Sequence, residues 1–194
     1  KTSKFLWPFK KIINPHGSGL VLFINNKIEV MDINEESFNK CSGWISKEHD
    51  CLSPKGFQHV KINLNGQRVD IYNTHLDAGF SKWDSATRKS QIEHIESYIR
   101  KNSEGYPVVI AGDFNVEFSS DENSIIYWFI NALDLEIVDW SADDDLNLSE
   151  RVDYIFFRGS ESSEISLIDY GIDDKLNGLS DHPPIGAQFS IRSK

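Results

Sequence analysis

The chain has 194 residues, of which 39% are hydrophobic and 12% aromatic, so it can bury the core of a single domain. Its formal net charge of −10 argues against strong non-specific binding to nucleic acid or anionic lipid, although a bound cation reverses the local field. No apolar run reaches the length of about 18 residues that a transmembrane helix needs, and the start, KTSKFLWPFKKIINP, lacks the apolar core of a signal peptide.

Alternating and β-branched apolar residues, bounded by turn residues, predict a chain rich in strands. The predicted strands lie at 19–24, 27–33, 57–64, 68–75, 107–111, 136–140, 151–158, 164–171 and 185–191. Residues 34–56 are predicted to be irregular, and Asn65-Gly66 is a strong signal for a tight hairpin turn. We expect His75 to share a strand face with Val69 and Ile71, because side chains alternate along a strand.

Two helices interrupt this pattern of strands. A loop at 76–83 leads to a helix that Asp84 or Ser85 is predicted to cap, with Ile92, Ile95 and Ile99 at helical spacing. This helix is predicted to end near Asn102 and Gly105. The second helix is predicted at 124–133, and an acidic, solvated loop at 141–150.

Strands outnumber helices by more than two to one, and the chain has no internal repeat or linker. This pattern predicts one α/β domain over 1–194, with helices layered on largely antiparallel or mixed sheets. Cys41 and Cys51 lie ten residues apart in a polar segment, which favours a disulfide over two free thiols. Such a disulfide favours a secreted or periplasmic location.

Polar residues stand where several predicted strands end. The buried strand in VVIAGDFNVE runs into Gly112, Asp113 and Asn115, while His75 ends another strand and Asp153 opens a third. Asp181 and His182 directly precede the last strand. We expect these side chains to converge, because a rigid sheet fixes geometry while its loops stay open to substrate.

These residue types are suited to hydrolysis of a phosphate ester. The predicted metal ligands are Asp113 and Asp181, which offer hard oxygen atoms, with Asn115 as a further ligand or a donor to the phosphoryl oxygen. His182 is predicted to take a proton from water while Asp153 orients its ring. His75 is predicted to donate to the oxygen that gains charge in the transition state. Taken singly, each residue is more often structural than catalytic.

The ordered motifs YNTHLDAG, RKSQ, GDFN, RVDYIF and LSDHPP resemble those of the endonuclease/exonuclease/phosphatase superfamily, from about Gly17 to the C-terminus. GSGL and PKGF are weaker matches. The resemblance implies a four-layer α/β sandwich, in which two packed mixed or antiparallel sheets carry outer helices. It also implies hydrolysis of phosphodiesters with Mg²⁺, or alternatively Mn²⁺ or Ca²⁺. His75, Asp113, Asn115, Asp153, Asp181 and His182 match the motifs that carry this chemistry.

One departure from the family pattern leaves a second class of function open. The family begins with a strand that carries an Asn and a later strand that carries a metal-binding Glu, and nothing before Gly17 resembles either. A strand–helix–strand unit needs about 30 residues, so we expect a longer parent protein with this domain truncated at its N-terminus. The alternative is a catalytically inactive binding module that lacks the Glu.

The substrate is predicted only by class. Motif spacing favours a sphingomyelinase-like or general bacterial member, so the expected partner is a phospholipid head group, with nucleic acid as the alternative. The predicted substrate contacts are Asn73, Arg88 and Trp83. Trp83 has the competing interpretation of packing against the helix start, and Arg88 that of anchoring the 76–83 loop by pairing with Asp77 or Asp84. The other histidines are predicted to be solvated: His16, His49, His59 and His94.

Overall fold

The computed structural model describes residues 9–13, 20–43, 50–138, 151–172 and 180–194. The predicted loop at 141–150, His16 and His49 lie outside the described residues. The strands are β1 Phe9–Ile13, β2 Leu22–Asn25, β3 Glu29–Ser37, β4 Gly56–Leu64, β5 Gln67–His75, β6 Val108–Asp113, β7 Glu136–Ile137, β8 Asp153–Arg158, β9 Ser163–Ile172 and β10 Ile185–Ser193. The helices are α1 Lys82–Asn102 and α2 Ser124–Leu133.

A six-stranded mixed sheet forms the centre of the fold, in the order β3-β4-β5-β6-β8-β7. Its neighbouring strands are antiparallel except β5 and β6, which are parallel. Parallel neighbours need a crossover connection, and α1 supplies it. The predicted turn between β4 and β5 is confirmed, with positive φ angles of 55° at Asn65 and 88° at Gly66.

The two faces of this sheet are covered differently. Both helices pack on one face, where the core contains Ile92, Ile95 and Ile99 of α1, Ile126 and Phe129 of α2, and Tyr72, Ile110 and Phe156 of the sheet. The antiparallel pairs β1–β2 and β9–β10 belong to the second layer, with Ile24 and Ile165 packed against the other face. The predicted α/β sandwich is confirmed. No described helix is long and apolar enough to cross a membrane.

The start of α1 differs from the prediction by one turn. Ser81 is the N-cap, and Asp84 is the third helical residue of a capping box. The Ser81 hydroxyl accepts from the Asp84 N–H at 3.2 Å, and the Asp84 carboxylate accepts from the Ser81 N–H at 2.8 Å. The prediction of Asp84 or Ser85 as the cap is therefore wrong, because Asp84 occupies the reciprocal position of the box.

The segment predicted to be irregular is partly a strand. Residues 34–37 extend β3, which pairs with β4 as far as Ser37 opposite Gly56. The prediction missed them because residues 34–37, NEES, are all polar and lie on an edge strand, so this part of β3 lacks apolar alternation. The predicted disulfide is present, with a Cα–Cα distance of 5.1 Å between Cys41 and Cys51.

A buried polar cluster lies at the β5 end opposite to His75. The prediction that His59 is solvated is wrong, because its side chain is 1% exposed and its ring stacks on Tyr72 with centroids 4.3 Å apart. Asp70 is fully buried and accepts two hydrogen bonds of 2.7 Å from Arg68 and one of 2.5 Å from Ser103, the C-cap of α1. The cluster joins the sheet to the end of α1.

Candidate active site

The sheet register brings three of the predicted site residues to one end of adjacent strands. His75 of β5 pairs with Asp113 of β6 in the parallel ladder, and Asp113 pairs with Asp153 of β8 in the antiparallel ladder. The His75 Nε2 atom lies 3.5 Å from the Asp113 Oδ2 atom. The strands alone therefore place an imidazole and two carboxylates side by side.

The chain after Asp113 turns sharply at a position that is costly for most residues. Asn115 adopts a left-handed conformation with φ of 51°, which usually costs about 1 kcal/mol or more for a non-glycine residue. Two hydrogen bonds stabilise it: its N–H donates to Asp113 Oδ1 at 2.8 Å, and its side-chain amide donates to the Leu76 carbonyl at 2.9 Å. Asparagine tolerates this conformation through such local bonds.

Gly112 allows this strand end to approach β5 closely. A Cβ atom at Gly112 would lie 2.0 Å from the Thr74 carbonyl oxygen. Only a residue without a side chain fits there, which accounts for the glycine before the aspartate in GDFN.

His182 completes the group from a loop. Its Nδ1 atom lies 3.0 Å from Asp153 Oδ2 and 4.0 Å from Asp113 Oδ2. The ligand atoms of Asp113, Asp153 and His182 all lie within 4.8 Å of one another. Asp181, which was also predicted as a metal ligand, is exposed and accepts a 3.0 Å hydrogen bond from Ser180. Its carboxylate is not part of this three-residue group.

The electrostatics of the site favour a bound cation. Burial raises the pKa of the Asp113 carboxyl, with His75 opposing and Asp153 adding to the rise. Burial also raises the pKa of Asp153, against the opposing charge of His182. Two carboxylates held this close repel each other, and a divalent cation removes that repulsion. Oxygen and imidazole donors of this kind fit Mg²⁺ or Mn²⁺.

Lys55 is a site residue that the sequence prediction missed. Its Nζ atom lies 3.0 Å from His75 Nε2, and its side chain is 8% exposed. Burial and the Lys55 charge lower the pKa of His75, which keeps the imidazole neutral. The available signal was weak: Lys55 lies in PKGF, and the following Gly56 pairs with His75 across β4 and β5.

The predicted substrate contacts lie in three different environments. Asn73 is half-buried on β5, and its amide donates to the Gln58 side chain at 3.0 Å. Trp83 is 80% exposed, so it does not pack against the helix start.

Arg88 is only 2% exposed, and its guanidinium uses four of its five N–H donors inside the protein. Two of them form a bidentate pair with Glu122 at 2.7 and 2.6 Å, and two reach the Asp77 and Gly79 carbonyls at 3.1 and 2.7 Å. Arg88 therefore anchors the 76–83 loop, but through Glu122 and backbone carbonyls rather than by pairing with Asp77 or Asp84. The contact of Arg88 with substrate stays a prediction.

Comparison with known proteins identifies related sequences. Residues 11–150 match the model of endonuclease/exonuclease/phosphatase family 2. A sphingomyelinase of Mycobacterium tuberculosis is 27% identical over 202 residues, covering 95% of this chain and 38% of that protein. Sphingomyelinase C of Listeria ivanovii is 36% identical over 88 residues, covering 42% of this chain and 26% of that protein. The chain thus spans less than half the length of these relatives.

Solved structures show the same fold at low sequence identity. A beta toxin of Staphylococcus aureus has a TM-score of 0.61 and 22% identity, covering 88% of this chain and 67% of its own. The human nocturnin catalytic domain has a TM-score of 0.64 and 17% identity, covering 89% of this chain and 63% of its own.

Proposed function

The chain belongs to the endonuclease/exonuclease/phosphatase family, and from this we propose that it hydrolyses phosphodiesters with a divalent metal ion, using His182 as the general base. The observation that carries the proposal is the 3.0 Å contact between His182 Nδ1 and Asp153 Oδ2 beside the Asp113 carboxylate. A base oriented by a carboxylate, next to a cation site, is the arrangement that water attack on phosphorus requires.

His182 and Asp153 act as one unit in this proposal. Hydrogen bonding of Nδ1 to Asp153 fixes the tautomer in which Nε2 is free to accept a proton. As water attacks, its oxygen bonds to phosphorus, His182 takes its proton, and the leaving oxygen departs with the electron pair of the broken P–O bond. Asp153 stabilises the resulting imidazolium.

The remaining residues bind the phosphate and the metal. Asp113 would hold the cation, which when bound would supply positive charge to the phosphoryl oxygens. Because the Asn115 amide nitrogen donates to Leu76, its amide oxygen would be the atom available to a cation. His75, which we predicted as the donor to the phosphoryl oxygen, shares this role with Lys55, whose ammonium lies against it. Asp181 remains a predicted metal ligand.

The substrate that we propose is a choline phospholipid of the sphingomyelin type. This follows from the curated sphingomyelinases that match 95% of the chain, and it accords with the net charge of −10, which disfavours long nucleic acids. We also propose an oxidising compartment, secreted or periplasmic, because the Cys41–Cys51 disulfide persists only there.

The test is hydrolysis of bis(p-nitrophenyl) phosphate by the full-length protein with Mg²⁺. We expect His182→Ala to lower kcat by about 10²–10⁴-fold, as loss of a general base does, while Gln188→Ala, an exposed change on β10, leaves it unchanged. Chelation should abolish the activity, and Mg²⁺ should restore it.

Three outcomes decide between the readings. A wild-type protein that neither hydrolyses this ester nor binds Mg²⁺ by calorimetry is the inactive binding module instead. Full activity in His182→Ala would remove that residue from the mechanism. A panel of sphingomyelin, plasmid DNA and small phosphomonoesters then identifies the substrate, and preference for DNA would replace the phospholipid by nucleic acid.

A further inference from the structure

Two large aromatic side chains project into water beside the site. Phe80 is 89% exposed and Trp83 is 80% exposed, the two highest values among the large hydrophobic residues that the structure describes. They lie three residues apart, where the loop after His75 enters α1. Single exposed apolar residues are common, but an adjacent aromatic pair at the edge of a site indicates an interaction surface.

Buried polar groups hold this aromatic pair in place from below. The Ser81–Asp84 capping box fixes the turn between the two aromatic residues, and Asp84 is itself buried and hydrogen-bonded to Ser42. Arg88 fixes the preceding turn through the Gly79 carbonyl, and Gly79 has a positive φ of 92°. The backbone that carries both aromatic rings is therefore held by several hydrogen bonds.

Phe80 also lines a groove that contains the site residue Asn115. This groove has a volume of about 760 Å³, and its lining includes Phe80, Lys82 and Asn115. Lys82 is exposed between the two aromatic residues in sequence. One groove is therefore lined both by Phe80 and by Asn115, which lies two residues after the end of β6.

We propose that Phe80, Lys82 and Trp83, named here the aromatic rim, seat the protein on a zwitterionic phospholipid bilayer and open the groove toward it. This inference rests on the proposed function, which gives the site a lipid substrate. Aromatic rings favour the boundary between lipid head groups and acyl chains, and a lysine there keeps its ammonium in water. The net charge of −10 opposes attraction to anionic lipid, so apolar contact is the driving force.

The experiment is co-sedimentation of the full-length protein with phosphatidylcholine vesicles that contain no sphingomyelin, in EDTA, so that binding is read without hydrolysis. We expect the double variant Phe80→Ser/Trp83→Ser to lower the partition coefficient at least about tenfold, because binding scales with the apolar area inserted. The matched control is Tyr127→Ser/Trp128→Ser on α2, where the two aromatic residues are 48% and 41% exposed. It should change partitioning less than about twofold, and circular dichroism melts check that both variants are folded.

Salt and competitors separate the rim from other uses of these aromatic residues. Raising NaCl from about 0.1 M to about 0.5 M should leave wild-type binding within about twofold, since screening weakens only electrostatic contacts. Equal partitioning of the rim variant and wild type would overturn the proposal, as would wild-type binding that is lost in salt. Displacement from vesicles by free choline would assign the rings to head-group capture instead. A rim variant that keeps vesicle binding but loses binding to single-stranded DNA would assign the aromatic rings to base stacking.

The two proposals fail separately in these measurements. A protein that binds vesicles through the rim but hydrolyses no phosphodiester refutes the catalytic proposal alone. A protein that hydrolyses bis(p-nitrophenyl) phosphate, but whose vesicle binding is unchanged by substitution of Phe80 and Trp83, refutes the aromatic-rim proposal alone.

Discussion

Replacing Arg88 with methionine should destabilise the protein by about 3–4 kcal/mol, because the change leaves three buried or half-buried groups without their partner. The Asp77 and Gly79 carbonyls each lose a hydrogen bond, at about 1 kcal/mol or more for each. Glu122 loses a bidentate partner, and we count only about 1–2 kcal/mol for it, since its side chain is 20% exposed and can be rehydrated. Methionine fills much of the same volume, so cavity formation adds little.

Urea unfolding at pH 7 measures this difference in the free energy of unfolding. In a thermal melt, a chain of this length loses about 2–4 °C in melting temperature per kcal/mol, so the melting temperature of Arg88→Met should be lower by roughly 6–16 °C. The matched control is Lys89→Met, the next residue along α1, whose ion pair with Glu93 spans 4.0 Å between side chains that are 65% and 51% exposed. That exposed pair should contribute no more than about 0.5 kcal/mol.

The double variant Arg88→Met/Glu122→Gln completes a cycle in which the coupling between the two residues should be about 1–3 kcal/mol. If the free energies of unfolding of Arg88→Met and Lys89→Met differ by less than about 1 kcal/mol, the buried guanidinium does not hold the loop, and the reasoning is refuted.

Two further predictions concern the sheet. Gly112→Ala should lower the free energy of unfolding by about 2–3 kcal/mol, because its Cβ atom would lie 2.0 Å from the Thr74 carbonyl oxygen. The control Gly171→Ala, whose Cβ atom would have no neighbour within 4 Å, should change the melting temperature little. Equal melting temperatures for the two variants would contradict the close approach at Gly112. Burial alone would raise the pKa of Asp70, but His59, Arg68 and Ser103 lower this pKa below its usual value. The ionised Asp70 therefore contributes its full stability above the unfolded pKa of about 3.9, and this contribution is lost as the pH falls through the lower folded pKa. Asp70→Asn should therefore be about 2 kcal/mol less stable than wild type at pH 7, and this difference in the free energy of unfolding should become smaller at pH 3. A difference that grows at pH 3 would show that the pKa of Asp70 is shifted in the opposite direction.

The strands and the catalytic motifs were predictable because both depend on local pattern. Apolar alternation located β4 and β5, and the Asn65-Gly66 turn fixed their register. Once β5, β6 and β8 are neighbours, the period of two places His75, Asp113 and Asp153 at one end. The sequence alone does not show that these strands are neighbours, because strand order depends on pairing between distant segments.

Features that depend on tertiary contacts were missed. Nothing in the pattern around His59 indicates that its ring stacks on Tyr72 beside a buried aspartate, because the partners come from different strands. The pairing of Arg88 with Glu122 spans 34 residues, and the nearer Asp77 and Asp84 seemed better partners on sequence distance. Both carboxylates are instead bonded to Ser42, which lies still farther away in the chain.

The site combines rigid and loop-borne parts, and this division predicts how it can change. Asp113 and Asp153 are fixed by the ladder between β6 and β8, so the carboxylate proposed to bind the cation and the carboxylate proposed to orient His182 move only if the sheet moves. His182 comes from the loop before β10 and reaches Asp153 through a single 3.0 Å contact. A change in this loop should therefore impair proton transfer while the proposed metal affinity is kept, whereas a change at Gly112 should impair both. The two losses can be separated by measuring kcat and Mg²⁺ binding on the same variants.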